Sequence, residues 1–225
     1  MIVQIYTAQS VEEALVLAEA GVDHVGITVS DRGLPGEIEL DMGREIVEAL
    51  RGRATSVALT VDTDLIAVEM FAAAVHPDIL HLCGSTVAFP PAAVADLRAW
   101  MQRRRLGIEL MQAIPVTGEE AVAEARRFAR HVDWLILDSM GQVEGIGAAG
   151  TVHDWRISRE IVVDSEVPVI LAGGLGPDNV AEAIRVVRPA GVDSLTSTNR
   201  AVAGGGFRKD LDAVTRFVAV ARSAG

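Results

Sequence analysis

The chain has 225 residues, half of them apolar, and a formal net charge of −11. That length suits one large domain spanning 1–225, with enough apolar residues for a sizeable core. So acidic a chain excludes nucleic acid and an anionic membrane as main partners, and leaves the binding of any anion to local amides and a few Arg or Lys side chains.

Strand-like apolar runs alternate with helix-period runs from end to end. Ile2 to Tyr6 reads as the first strand, and no signal peptide precedes it. Ser10 then stands as an N-cap, with Glu13 three residues on as a capping box. Val11 to Ala20 is a helix stopped by Gly21. His24 to Val29 is strand two, and a loop with Gly33, Pro35 and Gly36 leads to a helix over Asp41 to Leu50. Ser56 to Val61 and the helix Asp64 to Ala74 form the third pair. Ile79 to Cys83 and Pro90 to Arg104 form the fourth. Leu106 to Ile114 is strand five, followed by the helix Glu119 to Ala129. Trp134 to Asp138 is strand six, with a glycine-rich loop (Gly141, Gly145, Gly147, Gly150) before the helix Asp154 to Val163.

The apolar run Val167 to Leu175 ends in Gly173-Gly174, and a short buried run of this kind is an inner strand. Pro177-Asp178-Asn179 opens a helix-period run, Val180 to Val187. Gly191 to Leu195 is the last strand, followed by the polar stretch Thr196-Ser197-Thr198-Asn199. A helix from Lys209 to Ala221 closes the chain. Eight strand–helix pairs without a linker imply a parallel sheet, and the number favours a closed (β/α)8 TIM barrel over an open sheet. In such barrels the loops after strands seven and eight often hold a phosphate, with backbone amides at a helix start aimed at it. Gly173, Gly174, Thr196 and Ser197 are therefore candidate phosphate ligands, and Gly147 and Gly150 of the glycine-rich loop after strand six are candidates beside them. The competing reading is a tight strand–helix turn followed by a polar loop. No apolar run reaches membrane-spanning length, and the single cysteine, Cys83, excludes an internal disulfide. The expectation is a soluble cytoplasmic protein.

Over nearly its whole length the chain resembles the phosphoribosylanthranilate isomerases of tryptophan biosynthesis. The likeness is carried by Leu137-Asp138-Ser139, the loop Gly147 to Trp155, Leu171-Ala172-Gly173-Gly174-Leu175, Asn179-Val180, Val187-Arg188-Pro189, Val192-Asp193 and Lys209-Asp210, in matching order and spacing. The resemblance implies an Amadori rearrangement of a phosphoribosyl amine into an aminodeoxyketose, with no metal and no organic cofactor. It also implies a general base on strand one and a general acid at the end of strand six, each within hydrogen-bond reach of the atom it serves.

Asp138 matches the family's acid, which protonates the ring oxygen; the competing reading is an aspartate that caps a helix or braces a loop. The base position departs from the family: Tyr6-Thr7 stands where the family has Cys-Gly. Tyrosine is protonated near neutral pH and is a poor base unless its pKa falls. Tyr6 either serves as base or fills the barrel mouth. His81 and Cys83 stand on strand four, where the family has Gln and His. Each is a catalytic candidate or a buried core residue. Gln112 takes the place of a lysine on strand five, and Arg32 is what remains of the basic loop after strand two. Both are substrate-binding candidates. His153 replaces an aromatic residue, and Ser197 a glycine of the last phosphate loop. The expected function is an isomerase-like enzyme acting on a small phosphorylated substrate. The alternatives are a diverged barrel that binds a phosphorylated ligand without turnover, and a different phosphosugar enzyme on the same scaffold. Oligomeric state is left open, a homodimer included.

Overall fold

The computed structural model describes residues 1–139 and 153–225. Eight parallel strands close into a barrel in the order β1 to β8. They are β1 (Ile2–Ile5), β2 (His24–Thr28), β3 (Thr55–Thr60), β4 (Ile79–Leu82), β5 (Glu109–Pro115), β6 (Trp134–Asp138), β7 (Val169–Leu171) and β8 (Gly191–Ser194). The barrel shuts where β1 pairs β8, with Gln4 opposite Asp193. Helices α1 (Val11–Glu19), α2 (Leu40–Leu50), α3 (Leu65–Val75), α4 (Pro91–Arg104), α5 (Glu120–Ala129), α6 (Trp155–Asp164) and α7 (Val180–Val187) follow the first seven strands. After β8 come a 3-10 turn (Thr196–Thr198), an antiparallel hairpin of β9 (Asn199–Ala201) and β10 (Phe207–Lys209), and then α8 (Leu211–Ala224). Among the described residues, no helix is long and apolar enough to cross a membrane.

Successive strand residues point to opposite faces, so the apolar runs supply two cores. The larger lies between strands and helices and holds Val3, Ile27, Leu80, Leu110, Leu137, Leu171, Val192 and Phe217. The smaller fills the barrel and holds Tyr6, Val57, Leu59, Ile79, Cys83, Met111, Ile136, Ile170 and Ala172. Inward and outward positions are thus both buried, as continuous apolar strand runs require.

Four of the described helix starts carry a side-chain cap. Ser10 accepts the Glu13 amide at 3.2 Å, and the Glu13 carboxylate accepts the Gln9 amide at 2.8 Å. Asp64, Asp154 and Asp210 cap α3, α6 and α8 in the same way. At the opposite end of the barrel an aspartate precedes alternate strands. Asp23, Asp78 and Asp133 accept the backbone amides of Val3, Ser56 and Leu110 at 2.7–2.8 Å. Each ties the start of one strand to its neighbour and satisfies an N–H that the ladder leaves over.

Two expectations need correction. Strand five begins at Glu109 rather than Leu106. Arg105 and Gly107 take left-handed backbone angles (φ 55° and 68°) and end α4 with a reversal, so Leu106 belongs to that reversal. The stretch after β8 is also more than a loop. The β9–β10 hairpin turns through Gly204-Gly205-Gly206, all at positive φ. Three-residue strands are too short to show alternation in sequence.

Candidate active site

The carboxyl ends of the strands surround one pocket. Its wall includes Tyr6, Thr7, His81, Cys83, Asp138, Gly173, Gly174, Asp193 and Thr196. Strand parity explains the gathering. Tyr6, His81, Asp138 and Asp193 occupy the inward register shared with the barrel core.

Tyr6 fills the mouth of the barrel from β1. Its ring lies over Gly26 of β2, where a β-carbon would sit 2.4–2.5 Å from three ring atoms. Its hydroxyl lies 2.9 Å from His81 Nδ1. Burial pushes the Tyr6 phenol well above its usual range, and Asp193 and Cys83 add to that rise. Burial also pushes the His81 imidazolium down to about 3. Both groups are therefore neutral near pH 7. Donation from the phenol to Nδ1 leaves the His81 proton on Nε2, which has no partner among the described residues. The Cys83 thiol is buried and reduced. Burial, followed by the nearby Asp138 and Asp193 carboxylates, raises its pKa far above the usual thiol value. A thiol so placed is a poor nucleophile or base. Neither Tyr6 nor Cys83 has the surroundings of a general base.

Asp138 closes β6 at the pocket wall, half-buried. Its Oδ1 accepts the Ser139 amide at 2.7 Å, and its backbone carbonyl accepts the Val116 amide at 3.0 Å. These bonds fix the carboxylate against the β6 backbone. The turn after β7 is shaped by paired glycines at φ 86° and 66°. A β-carbon on Gly173 would lie 2.5 Å from Ser139 Oγ and 3.1 Å from His153 Nδ1. His153, in place of the aromatic residue, bridges Ser139 Oγ at 3.1 Å and Ser158 Oγ at 2.6 Å. It thereby braces the turn from behind. Asn179 Oδ1 accepts the Gly176 amide at 2.8 Å, and Asn179 Nδ2 donates to the Gly174 carbonyl at 3.0 Å. Among the described residues, no acceptor engages the amides of Gly173, Gly174, Thr196 or Ser197. Amides left unpaired at two neighbouring strand ends are chemically able to receive an anion.

The remaining sequence-derived candidates fall elsewhere. Gly147 and Gly150 lie outside the described residues. Gln112 does not reach the pocket. It faces the helix side of β5, and its amide donates to the Leu82 and Ala113 carbonyls at 3.2 and 2.9 Å. Parity is the reason, since its neighbours Met111 and Ala113 take the inward face. Arg32 lies on the rim, ion-paired to Asp62. The loop that carries it folds around Glu37, whose carboxylate accepts the amides of Arg32, Gly33 and Leu34 at 2.9–3.0 Å. Those amide bonds, led by Leu34, hold Glu37 below the usual carboxylate range.

Two buried charges were not singled out as site residues by the sequence. Asp193, 8% exposed, projects inward from β8 and lines the pocket. Burial raises its carboxyl to about 7, while the Gln4 amide and the Lys209 ammonium pull it down. Lys209, 4% exposed, reaches in from β10 to the Tyr6 carbonyl and to Asn199 Oδ1. Burial lowers it to about 7 against the pull of Glu13 and Asp193. A carboxylate inside the apolar run Gly191 to Leu195 is the signal that marks such a residue in sequence.

An eight-stranded parallel barrel whose ionisable groups collect at the carboxyl ends of its strands has the layout of the (β/α)8 barrel enzymes. Comparison with known proteins narrows that class. The family model described as N-(5'-phosphoribosyl)anthranilate (PRA) isomerase matches residues 3–219. The N-(5'-phosphoribosyl)anthranilate isomerase of Haloferax volcanii is 37% identical over 206 residues, covering 91% of this chain and 86% of that protein. Its counterpart in Afipia carboxidovorans is 33% identical over 218 residues, covering 96% and 86%. The solved phosphoribosyl anthranilate isomerase of Thermotoga maritima superposes with a TM-score of 0.78 at 24% identity, covering 99% of this chain and 100% of that one. The chain belongs to the phosphoribosylanthranilate isomerase family.

Proposed function

We propose that this protein catalyses the family's aldose–ketose isomerisation on a small phosphorylated substrate, N-(5'-phosphoribosyl)anthranilate. The Asp138 carboxyl protonates the ring oxygen, the furanose opens to an iminium, and loss of the C2 proton gives an enol that collapses to the aminodeoxyketose. The amides of Gly173, Gly174, Thr196 and Ser197 take the 5'-phosphate, and their placement beside Asp138 sets the distance from phosphate to ring oxygen. The neutral His81 donates from Nε2 to a substrate oxygen. Arg32 on the rim, shared with Asp62, receives the anthranilate carboxylate.

The observation that carries this reading is the shared pocket: an acid at the end of β6 and unpaired amides after β7 and β8. A barrel kept only for structure has no need of either. An isosteric Asp138→Asn change tests it. Turnover of N-(5'-phosphoribosyl)anthranilate should fall by about 10²–10⁴-fold, the contribution of a positioned general acid, with little change in KM. Full turnover by the variant would remove Asp138 from the mechanism. Failure of the wild-type gene to support a strain lacking the tryptophan-pathway isomerase would refute the substrate assignment.

A further inference from the structure

The isomerisation needs a group to take the C2 proton, and the family's strand-one position is occupied here by Tyr6. The Tyr6 hydroxyl is committed to His81. Cys83, just past β4 on the pocket wall, is kept a thiol by burial. Among the described residues, that leaves one basic group on the pocket wall with no assigned task. Asp193 is more than nine-tenths buried, faces inward, and its Oδ1 has no hydrogen-bond partner among the described residues. A buried carboxylate oxygen without a partner is costly to the fold. Its placement at the mouth, in a pocket that Asp138 also lines, gives it a use.

We propose that Asp193 is the general base of this site, taking over from β8 the role that the family's cysteine performs from β1, with Lys209 as its positioning residue. The proposal rests on the isomerase reading above. In the step assigned to it, an Asp193 oxygen forms a bond to the C2 proton. The C2–H electron pair becomes the C1–C2 double bond, and the iminium electrons return to nitrogen. Tautomerisation then places a proton on C1 and leaves a ketone at C2, so the overall change is an isomerisation with no oxidant or reductant.

The surroundings suit the task. Gln4 faces the carboxylate across the β1–β8 pairing, Tyr6 and Cys83 border it, and Asp138 lies across the pocket. Among the described residues, Lys209 is the one cation directed at it. Its ammonium is bonded to the Tyr6 carbonyl and Asn199, and no ion pair joins it to Asp193 among the described residues. The lysine thus supplies field without neutralising the oxygen by direct contact. A base poised near the working pH is the efficient choice for proton abstraction.

The test is the pH profile of kcat/KM for N-(5'-phosphoribosyl)anthranilate in the wild type, D193N and K209M, with a thermal melt of each to establish folding. The wild type should lose activity on acidification through a limb near pH 7. D193N should lose at least 100-fold in kcat, keep KM within about threefold, and show no such limb. K209M should keep measurable turnover with its acidic limb moved to higher pH, because the ionised carboxylate has lost its cation. Should K209M fail to fold, D193N decides alone. Turnover of D193N within threefold of wild type, with the limb intact, refutes the proposal and leaves the isomerase reading standing. Absence of wild-type turnover refutes that reading and this proposal together.

Discussion

The most specific structural claim about the altered base position is that Tyr6 lies where only a glycine on β2 allows it. Gly26→Ala tests the claim. Gly26 has ordinary backbone angles, so alanine meets no conformational obstacle, and the lost flexibility of the unfolded chain favours the variant by about 0.5–1 kcal/mol. Against that, the new β-carbon would sit 2.4 Å from Tyr6 Cδ1 and 2.5 Å from Cγ and Cε1. Carbon atoms settle about 3.5–4 Å apart, so the ring must retreat by about 1 Å. Such overpacking costs about 1–3 kcal/mol. The retreat stretches the 2.9 Å contact with His81 beyond hydrogen-bond range, which adds about 1 kcal/mol. The net expectation is a loss of about 2 kcal/mol, a fall in Tm of about 4–8 °C for a chain of this size. Thermal and urea melts of Gly26→Ala, Tyr6→Ala and the double variant close a cycle. Tyr6→Ala alone should cost about 3–5 kcal/mol through the cavity it leaves. Adding Gly26→Ala to it should cost nothing or stabilise slightly. An equal cost for Gly26→Ala in both backgrounds would refute the packing argument.

Gly173→Ala should lower Tm and raise KM for the phosphorylated substrate, since the residue sits at φ 86° with Ser139 Oγ 2.5 Å from the new carbon; an unchanged KM would separate that turn from phosphate binding. Acidification should destabilise the fold between about pH 6.5 and 4. Burial holds His24, His81 and His153 at about 4, 3 and 4, below the ordinary 6.5, so the unfolded chain takes up three protons first. Asp193, raised from 3.8 to about 7, works in the opposite sense, because the folded chain binds its proton first. Three minus one leaves two protons, or about 3 kcal/mol per pH unit near pH 5; urea melts that are flat or more stable toward pH 5 would contradict it. Asp133→Ala, at the end of the barrel away from the pocket, should cost about 1–3 kcal/mol in stability through the Leu110 amide it leaves unpaired and the Arg98 ion pair it removes, with kcat unchanged.

The barrel was legible because its signals are local. Alternating apolar runs, the Ser10–Glu13 cap and the glycine pair at 173–174 each act within a few residues. The residues that shape the turn after β7 share one short segment with that strand, so its paired glycines could be read locally. The hairpin from Asn199 to Lys209 escaped notice because three-residue strands carry no period to read. Gln112 misled because a match in position along the chain says nothing of which face a strand residue takes, and its neighbours Met111 and Ala113 already occupy the inward one.

The altered base position lay beyond reach for a different reason. Whether Tyr6 works as a base is decided by groups 20, 75 and 187 residues away, at Gly26, His81 and Asp193. Gly26 has no side chain, and in space it is the room that a phenol ring takes. His81 reads in sequence as either a catalytic imidazole or a core residue; in the structure burial keeps it neutral and the phenol occupies its Nδ1. Once the ring fills the mouth and burial has raised its pKa, proton abstraction has to come from another strand. The barrel makes this substitution cheap, because every strand ends at the same mouth and parity alone decides which side chains face it. A change of catalytic residue from β1 to β8 then asks for no change of fold, only for a carboxylate that the core leaves unpaired.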